Sequence, residues 1–496
     1  MFRPFDYAQD RQAQHERQSE GISETDPLTL SPATTLRTGL SRGAPLRVAI
    51  TTLGCKVNQY DTATIEDRLK AEGHLLVPFT GTADVYIVNS CTVTNQADAE
   101  SRQLARRAKR HNPAARVILT GCYAQVNPKS VAKVAEVDHV IGLNRLDDLL
   151  RAVRAELAER IAVSNLRKTA DGKTPRIDTF GALTFSGQTR AFLKIQEGCD
   201  LFCTFCIVPM SRGKSRSVPP RVVLEQLDRL AAQGFQEVVL TGIHLGGYGE
   251  DLEPQIDLLW LLEAVEERKP IPRVRLSSLD PHEINDTFIR LLAQAEILCP
   301  HLHIPLQSGD DAILQRMRRR YDTALAHDVL TKLRETLPHA ALGTDLIVGF
   351  PGEGEEEFAR SLKFLAASPL TYFHVFPYSV RNGTTAAKFT DKVSQPLIDT
   401  RARQVRKLGE QKKAMFARSF VGHTLSVLFE HSRDKVSGLL KGYSRNYQRV
   451  LAAGSDAYMN REVPVTITRT NGETLWGEIQ EATSQNSGAR IPDARP

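Results

Sequence analysis

Three cysteines within eight residues constrain this chain more than any other feature. They stand in Gly198-Cys199-Asp200-Leu201-Phe202-Cys203-Thr204-Phe205-Cys206, at positions i, i+4 and i+7. A structural zinc needs four ligands, normally as two separated pairs, and no neighbouring Cys or His supplies the fourth. Three thiolates suit a cubane [4Fe–4S] cluster whose last iron stays open to a substrate or cofactor. The plainer reading is three buried thiols at a tight turn. The loop follows a strand expected at Phe192–Gln196, and further strands are expected at Glu237–Thr241, Arg273–Ser277, His301–Pro305, Gly343–Val348 and Tyr372–Phe376. Helical stretches at Pro219–Gln233, Ile256–Glu267, Pro281–Ala295, Thr323–Leu337 and Glu355–Ala367 separate most of them. Six βα-type units without a break predict a parallel barrel, or most of one, with the thiols at its C-terminal mouth. An open doubly wound sheet is the competing fold.

A second set of thiols is dispersed. Cys55, Cys91 and Cys122 each follow an expected strand, at Leu46–Leu53, Asp84–Asn89 and Arg116–Thr120. Helices expected at Tyr60–Glu72 and Asn95–His111 separate these strands, and one near Asp147–Arg160 closes the unit. Such alternation implies parallel strands. Their ends share one edge, where open α/β sheets bind ligands. The three sulfurs can therefore converge and, again without a fourth ligand, hold a second cluster with an open iron. Against this, cysteine is common in buried strands. Cys299 has no partner spacing and reads as a core thiol.

At 496 residues the chain has room for roughly three domains. Its 41% apolar and 25% charged residues exclude a wholly disordered or collagen-like chain. No apolar run is long enough to span a bilayer, and the N-terminus lacks a secretory signal. An odd cysteine count without such a signal places the thiols in a reducing compartment, the cytoplasm. A net charge of +6 tolerates a polyanionic partner without demanding one.

Residues 1–45 read as a disordered leader or a mis-called start, 161–184 as a linker including the polar Lys168–Arg176, and 483–496 as a disordered tail. After a basic helix at Thr400–Arg418, strands at His423–Glu430, Ser437–Tyr443, Arg449–Ala453, Val463–Arg469 and Thr474–Ile479 predict a small β-barrel, with Asn471-Gly472 as a hairpin turn. On that helix Arg401, Arg403, Arg406, Lys407, Lys412, Lys413 and Arg418 suit phosphate contact as well as plain solvent cover. Tyr443-Ser444-Arg445-Asn446-Tyr447 suits stacking on unpaired bases, unless both tyrosines plug the barrel. Arg102, Arg106, Arg107, Lys109 and Arg110 suit contact with RNA near the cavity, though an ordinary exposed helix face is the favoured reading. Gly213-Lys214-Ser215 imitates the tail of a phosphate loop, but Val208 stands where that loop requires Gly.

The Cys-x3-Cys-x2-Cys run resembles the signature of the radical S-adenosylmethionine (SAM) enzymes. The resemblance implies a partial (βα)6 barrel and an open iron that chelates SAM. One electron then breaks a sulfur–carbon bond and yields a 5′-deoxyadenosyl radical. It also implies SAM contacts at Gly242, within Thr241–Gly246, at Ser277, at Gln307, within His301–Gly309, and at Gly349, within Gly349–Glu353. Glu355–Glu357 read as charge favoured at a helix start.

Two three-cysteine sites followed by a small β-barrel resemble the methylthiotransferases, from about Leu46 to Ile479. That family implies a flavodoxin-like N-terminal α/β domain at 46–160, whose auxiliary cluster carries a methylated sulfur. A radical SAM core at 185–414 and an RNA-binding TRAM domain at 415–482 follow. Implied cofactors are two [4Fe–4S] clusters and SAM. Implied partners are the tRNA anticodon loop, held by Tyr443, Arg445, Asn446, Tyr447, Arg406 and Lys407, an electron donor such as flavodoxin or ferredoxin, and a sulfur source, with no membrane. Thr52–Gln59 and Gly121–Gln125 look most like the branch that converts N6-threonylcarbamoyladenosine at position 37 to its 2-methylthio derivative, although Asp61 stands where that branch has Glu. The rivals are the branch acting on isopentenyladenosine, with Gln-Met-Asn after the first cysteine, and the sister enzyme acting on a ribosomal-protein aspartate. A non-enzymatic iron–sulfur module is the rival outside catalysis.

Overall fold

The computed structural model describes residues 44–167 and 189–480. The expected tail, nearly all of the leader and the Lys168–Arg176 stretch lie outside the described residues.

The first domain is one parallel sheet of β1 (Arg47–Thr52), β2 (Leu75–Val77), β3 (Val85–Ser90), β4 (Arg116–Gly121), β5 (His139–Ile141) and β6 (Ile161–Ala162). Its order, β2-β1-β3-β4-β5-β6, extends the flavodoxin-like order by one strand. β3 is buried along its whole length because both faces are covered. Tyr86, Val88, Val117 and Leu119 pack on one face, and Val48, Ile50, Ile87 and Ile118 on the other. α1 (Lys56–Ala71) starts directly after Cys55, earlier than expected. α2 (Asn95–His111) has the expected bounds, with Thr94 Oγ1 accepting from the Ala97 amide at 3.2 Å as its N-cap. α3 (Cys122–Val126) is a short helix opening on the third cysteine.

Strands β2, β5 and β6 are too short to show an alternation and were not anticipated. β6 carries the domain past residue 160 and removes Ile161 and Ala162 from the expected linker. The helix expected to Arg160 ends at Val153, where Ala155 turns left-handed at φ 64°.

The second unit contains β7 (Arg190–Lys194), β8 (Gln196–Glu197), β9 (Arg216–Ser217), β10 (Glu237–Thr241), β11 (Arg273–Leu276), β12 (His301–His303), β13 (Ala341–Val348) and β14 (Tyr372–Pro377). Parallel sheets β7-β10-β11 and β12-β13-β14 are joined by a Ser278–His303 bridge and by the Leu279 amide donating to the His303 carbonyl at 3.0 Å. The result is a six-stranded arc in chain order, a partial (βα)6 barrel. Among the described residues no ladder joins β14 back to β7. α4 (Val208–Arg212) follows the cysteine loop, and β8 and β9 form a hairpin around it.

The first domain covers the gap in the arc. α1 packs along β7, with Tyr60 in the same apolar core as Ala191 and Leu193. At the other edge, Arg381, beyond β14, donates to Thr92 at 2.6 Å and to Asn95 and Asp98 at 2.7 Å.

α5 (Gln395–Arg418) leads to β15 (Thr424–Arg433), β16 (Leu440–Ser444), β17 (Arg449–Ala453), β18 (Glu462–Thr470) and β19 (Thr474–Ile479). These close a small barrel in the order β15-β16-β17-β19-β18 around Val427, Phe429, Val450, Val465 and Leu475. Its β16–β17 turn docks under the N-terminal ends of the larger arc. Arg190 lies 4.5 Å from the Tyr443 ring, Arg275 4.7 Å from Tyr447, and His301 4.9 Å from Tyr447. The turn thereby seals the bottom of the lumen.

Candidate active site

Parallel strands β1, β3 and β4 deliver Cys55, Cys91 and Cys122 to one sheet edge, as their spacing predicts. Gly54, at φ 99°, brings its loop so close that a Cβ there would lie 2.9 Å from Cys91 Sγ. Cys122 Sγ lies 3.8 Å from Asn58 Oδ1. Burial, reinforced by the neighbouring thiols Cys122 and Cys55, pushes Cys91 up to about 12. Burial also raises Cys122, against the pull of Arg212.

The other triad is clamped at its base. Gly198, at φ 76°, touches the Lys214 carbonyl so closely that a Cβ would overlap it. The Cys199 amide donates to the Gly213 carbonyl at 3.1 Å. The Gly213–Ser215 stretch is thus the back wall of the cysteine loop. Farther along, the Thr204 amide donates to the Met317 carbonyl at 3.0 Å and its hydroxyl to the Arg316 carbonyl at 2.8 Å. Burial above all, with Cys203 adding to it, pushes Cys199 and Cys206 up to about 12. Arg319 donates to Cys203 Sγ at 3.1 Å and to the Tyr321 hydroxyl at 2.9 Å.

Among the described residues, the groups whose ligand atoms gather within 4.8 Å are His303–Asp345–His374 and His244–Asp280–Glu283. Neither thiol triad is among them, and three thiolates without a fourth protein donor suit a multi-iron cluster better than a tetrahedral zinc. Cysteine-only donors with a guanidinium nearby also fit the anionic charge of such a cluster.

Thiol chemistry checks the site before any metal is added. In metal-free protein, Cys91, Cys199 and Cys206 stay protonated at neutral pH, and the thiolate is the nucleophile. Iodoacetamide should therefore label exposed Cys55 first and reach the other three only as pH climbs toward about 12. Peptide mass spectrometry after labelling at pH 7 and at higher pH reads this out; equal labelling of Cys55 and Cys91 at pH 7 would contradict it.

A buried ion network links the two triads. α3, which opens on Cys122, packs against α4, which follows Cys206. Arg212, at the end of α4, donates to Asp61 at 2.8 Å and also bonds Asn58 and Glu197. Lys194 reaches Asp61 at 2.7 Å and Glu197 at 3.1 Å. Asn58 Nδ2 completes the tie by donating to the Leu53 and Ser90 carbonyls at 2.7 and 3.1 Å. Burial disfavours the Glu197 carboxylate, but Lys194 and Arg212 outweigh it and hold the group below its ordinary range. Asp61, where Glu was expected, reaches both cations.

The lumen below is polar. His303 and His374 lie 2.9 and 3.1 Å from Asp345 Oδ1, and together they overcome burial to hold that carboxyl well below its usual range. Lys56 reaches into the same space, with Tyr447, Arg275, Asp345 and Arg190 as its electrostatic neighbours.

The expected SAM contacts divide into three kinds. Ser277, at the end of β11, has a buried hydroxyl oxygen with no partner among the described residues, an orphan that a ligand would satisfy. Gln307 extends the β13 ladder through its main chain, with bonds of 2.8 and 2.9 Å to Asp345 and Ile347. Gly242 packs against Gln196, whose Oε1 accepts from the Ile243 and His244 amides at 2.9 Å each. Gly349 backs onto Ile398 of α5, and its amide donates to Glu353 at 3.0 Å. That turn anchors α5, through Glu353 and Arg401 at 2.9 Å, and the glycine is accounted for by packing.

The residues expected to hold RNA have protein partners of their own. Tyr443, Arg445, Asn446 and Tyr447 lie in the contact between the two barrels. Arg445 pairs with Glu462 at 2.7 Å, and Asn446 donates to the His339 carbonyl at 2.9 Å. On α5, Arg401 and Lys412 are buried, Arg406 donates to the Val375 carbonyl at 3.2 Å, and Lys407 is exposed. Arg212, Arg319, Lys194 and Lys56 escaped the sequence reading; no local pattern separates them from surface cations.

The Radical SAM superfamily model matches residues 193–365, and the model described as "Uncharacterized protein family UPF0004" matches 47–142. The Bacillus subtilis threonylcarbamoyladenosine tRNA methylthiotransferase MtaB is 38% identical over 85% of this chain and 94% of its own length. Its Aquifex aeolicus namesake is 39% identical over 77% and 92%. A tRNA-2-methylthio-N(6)-dimethylallyladenosine synthase of Clostridium botulinum is 31% identical over 86% and 96%. With both domains matched, and the greater identity shared with the first two relatives, this chain belongs to the radical SAM methylthiotransferases, in their MtaB branch.

Proposed function

We propose that the chain places a methylthio group on C2 of N6-threonylcarbamoyladenosine at position 37 of tRNA. One observation carries this reading: two cysteine-only triads, each just past parallel strands, have their loops tied together by the Arg212 network. Cys199, Cys203 and Cys206 would hold the cluster that SAM completes, and Cys55, Cys91 and Cys122 the second one. When bound, these groups supply a carbon-centred radical and a transferable methylated sulfur.

The chain's own residues supply position and shelter. Arg319 steadies charge at Cys203. The first domain closes the gap in the arc, and the Tyr443–Tyr447 turn seals its base against water. Ser277 offers a hydroxyl to SAM. Exposed Arg403, Lys407 and Arg418 on α5 offer charge to RNA phosphates. A reductant such as flavodoxin or ferredoxin and a sulfur source act from outside, in the cytoplasm. No helix among the described residues is long and apolar enough to cross a membrane.

The test is nucleoside mass spectrometry after anaerobic incubation of the reconstituted enzyme with SAM, a reductant and tRNA lacking the modification. A methylthio gain on the threonylcarbamoyl nucleoside is expected. A gain on the isopentenyl nucleoside alone, or only on a ribosomal protein, would overturn the reading.

A further inference from the structure

We propose that Lys56 recognises the carboxylate of the threonylcarbamoyl group and so sets the preference for a charged N6 substituent over a neutral one. The inference rests on the substrate proposed above.

Lys56 is the first residue of α1, directly after Cys55, at the place where the first domain covers the gap in the arc. Its electrostatic neighbours come from four separate elements: Arg190 of β7, Arg275 of β11, Asp345 of β13 and Tyr447 of the sealing turn. A side chain with that company lies within the lumen. It is half-buried there.

Every other cation in this region has a fixed counter-ion. Arg190 holds Glu430 at 3.0 Å, and Arg273 and Arg275 share Glu237 at 3.0 Å. Asp345 is taken by His303 and His374. Lys56 makes no ion pair or hydrogen bond among the described residues. Burial first, then Arg275 and Lys56, push His301 well below its usual range. Holding a half-buried ammonium is costly, and an incoming carboxylate relieves that cost.

The substrate's geometry fits. C2 and the N6 substituent flank N1 on the same ring of adenine. A cation next to Cys55 is therefore placed to read the substituent while the sulfur-bearing loop addresses C2. Lysine's flexible stem suits a carboxylate on a rotatable threonyl group.

The experiment uses two anticodon stem-loops, one bearing the threonylcarbamoyl group and one bearing its neutral threoninamide analogue. For the reconstituted parent enzyme, kcat/KM should favour the acid by roughly 10–100-fold, the range for losing a hydrogen bond to a charged group. In Lys56→Met that preference should collapse toward unity, and the acid's advantage in Kd, read by fluorescence anisotropy, should vanish with it. Lys56→Arg should restore much of the preference. Iron content and SAM cleavage without RNA verify that the site is intact. Equal losses on both stem-loops would overturn the inference and point to a phosphate contact; a matching loss of SAM cleavage would overturn it and point to the SAM carboxylate. If the parent modifies neither stem-loop but accepts an isopentenyl one, the substrate reading itself fails.

Discussion

Anaerobically reconstituted Cys91→Ala protein is expected to retain most of its SAM cleavage while methylthiolation falls at least about a thousand-fold. Cys91 is the cleanest position for this separation. Its sulfur faces Gly54 within the first domain, and the Arg212 network runs through Asn58 and Asp61 instead. Removing the thiol leaves the neighbouring Thr92 hydroxyl bound to Arg381 at 2.6 Å, so the first domain stays seated on the barrel. Iron should drop from about eight to about four atoms per chain, one cluster's worth. Cys203→Ala strikes the other triad and should abolish both SAM cleavage and methylthiolation. Iron analysis, 5′-deoxyadenosine yield and modified-nucleoside yield from the same preparations decide the matter. If Cys91→Ala loses SAM cleavage as fully as Cys203→Ala, the two triads do not divide the work in this way.

What was legible in the sequence was local. The Cys199–Cys206 spacing needs no tertiary knowledge, and α2 has the bounds its pattern predicts, Asn95–His111. The six strands of the arc read clearly because each is flanked by a helix. Features set by distant partners did not read. Tyr443, Arg445 and Tyr447 look like an RNA-stacking patch in isolation, and only the approach of Arg190, Arg273 and Arg275 turns them into a seal. Gly349 owes its place to Ile398 of α5. Arg212 and Asp61 lie too far apart in sequence for any spacing rule to pair them. Lys56 belongs to the Thr52–Gln59 motif, but its neighbours Arg190, Arg275, Asp345 and Tyr447 are brought to it only by the fold.

Arg212→Met should destabilise the metal-free protein by about 3–5 kcal/mol at neutral pH, the range for removing one member of a buried ion network. Arg212 is 1% exposed, and it alone bonds Asn58, Asp61 and Glu197 at once. Without it, Asp61 and Glu197 share Lys194, and the only other cation paired with them among the described residues is Arg216, 3.9 Å from Glu197. The effect should depend on pH with a defined sign. The folded protein holds the Glu197 carboxyl below its ordinary range, so its contribution is fully present above the unfolded carboxylate pKa of about 4.3. That contribution fades as pH falls toward the depressed folded value, and the gap between parent and variant should narrow over the same interval. Urea is the right denaturant, since guanidinium salt would screen the charges being measured. Arg212→Lys keeps the charge but loses the fork that spans two carboxylates and an amide, and it should fall between the two. A variant within about 1 kcal/mol of the parent at pH 7 would show that the network is not what holds the two cysteine loops together.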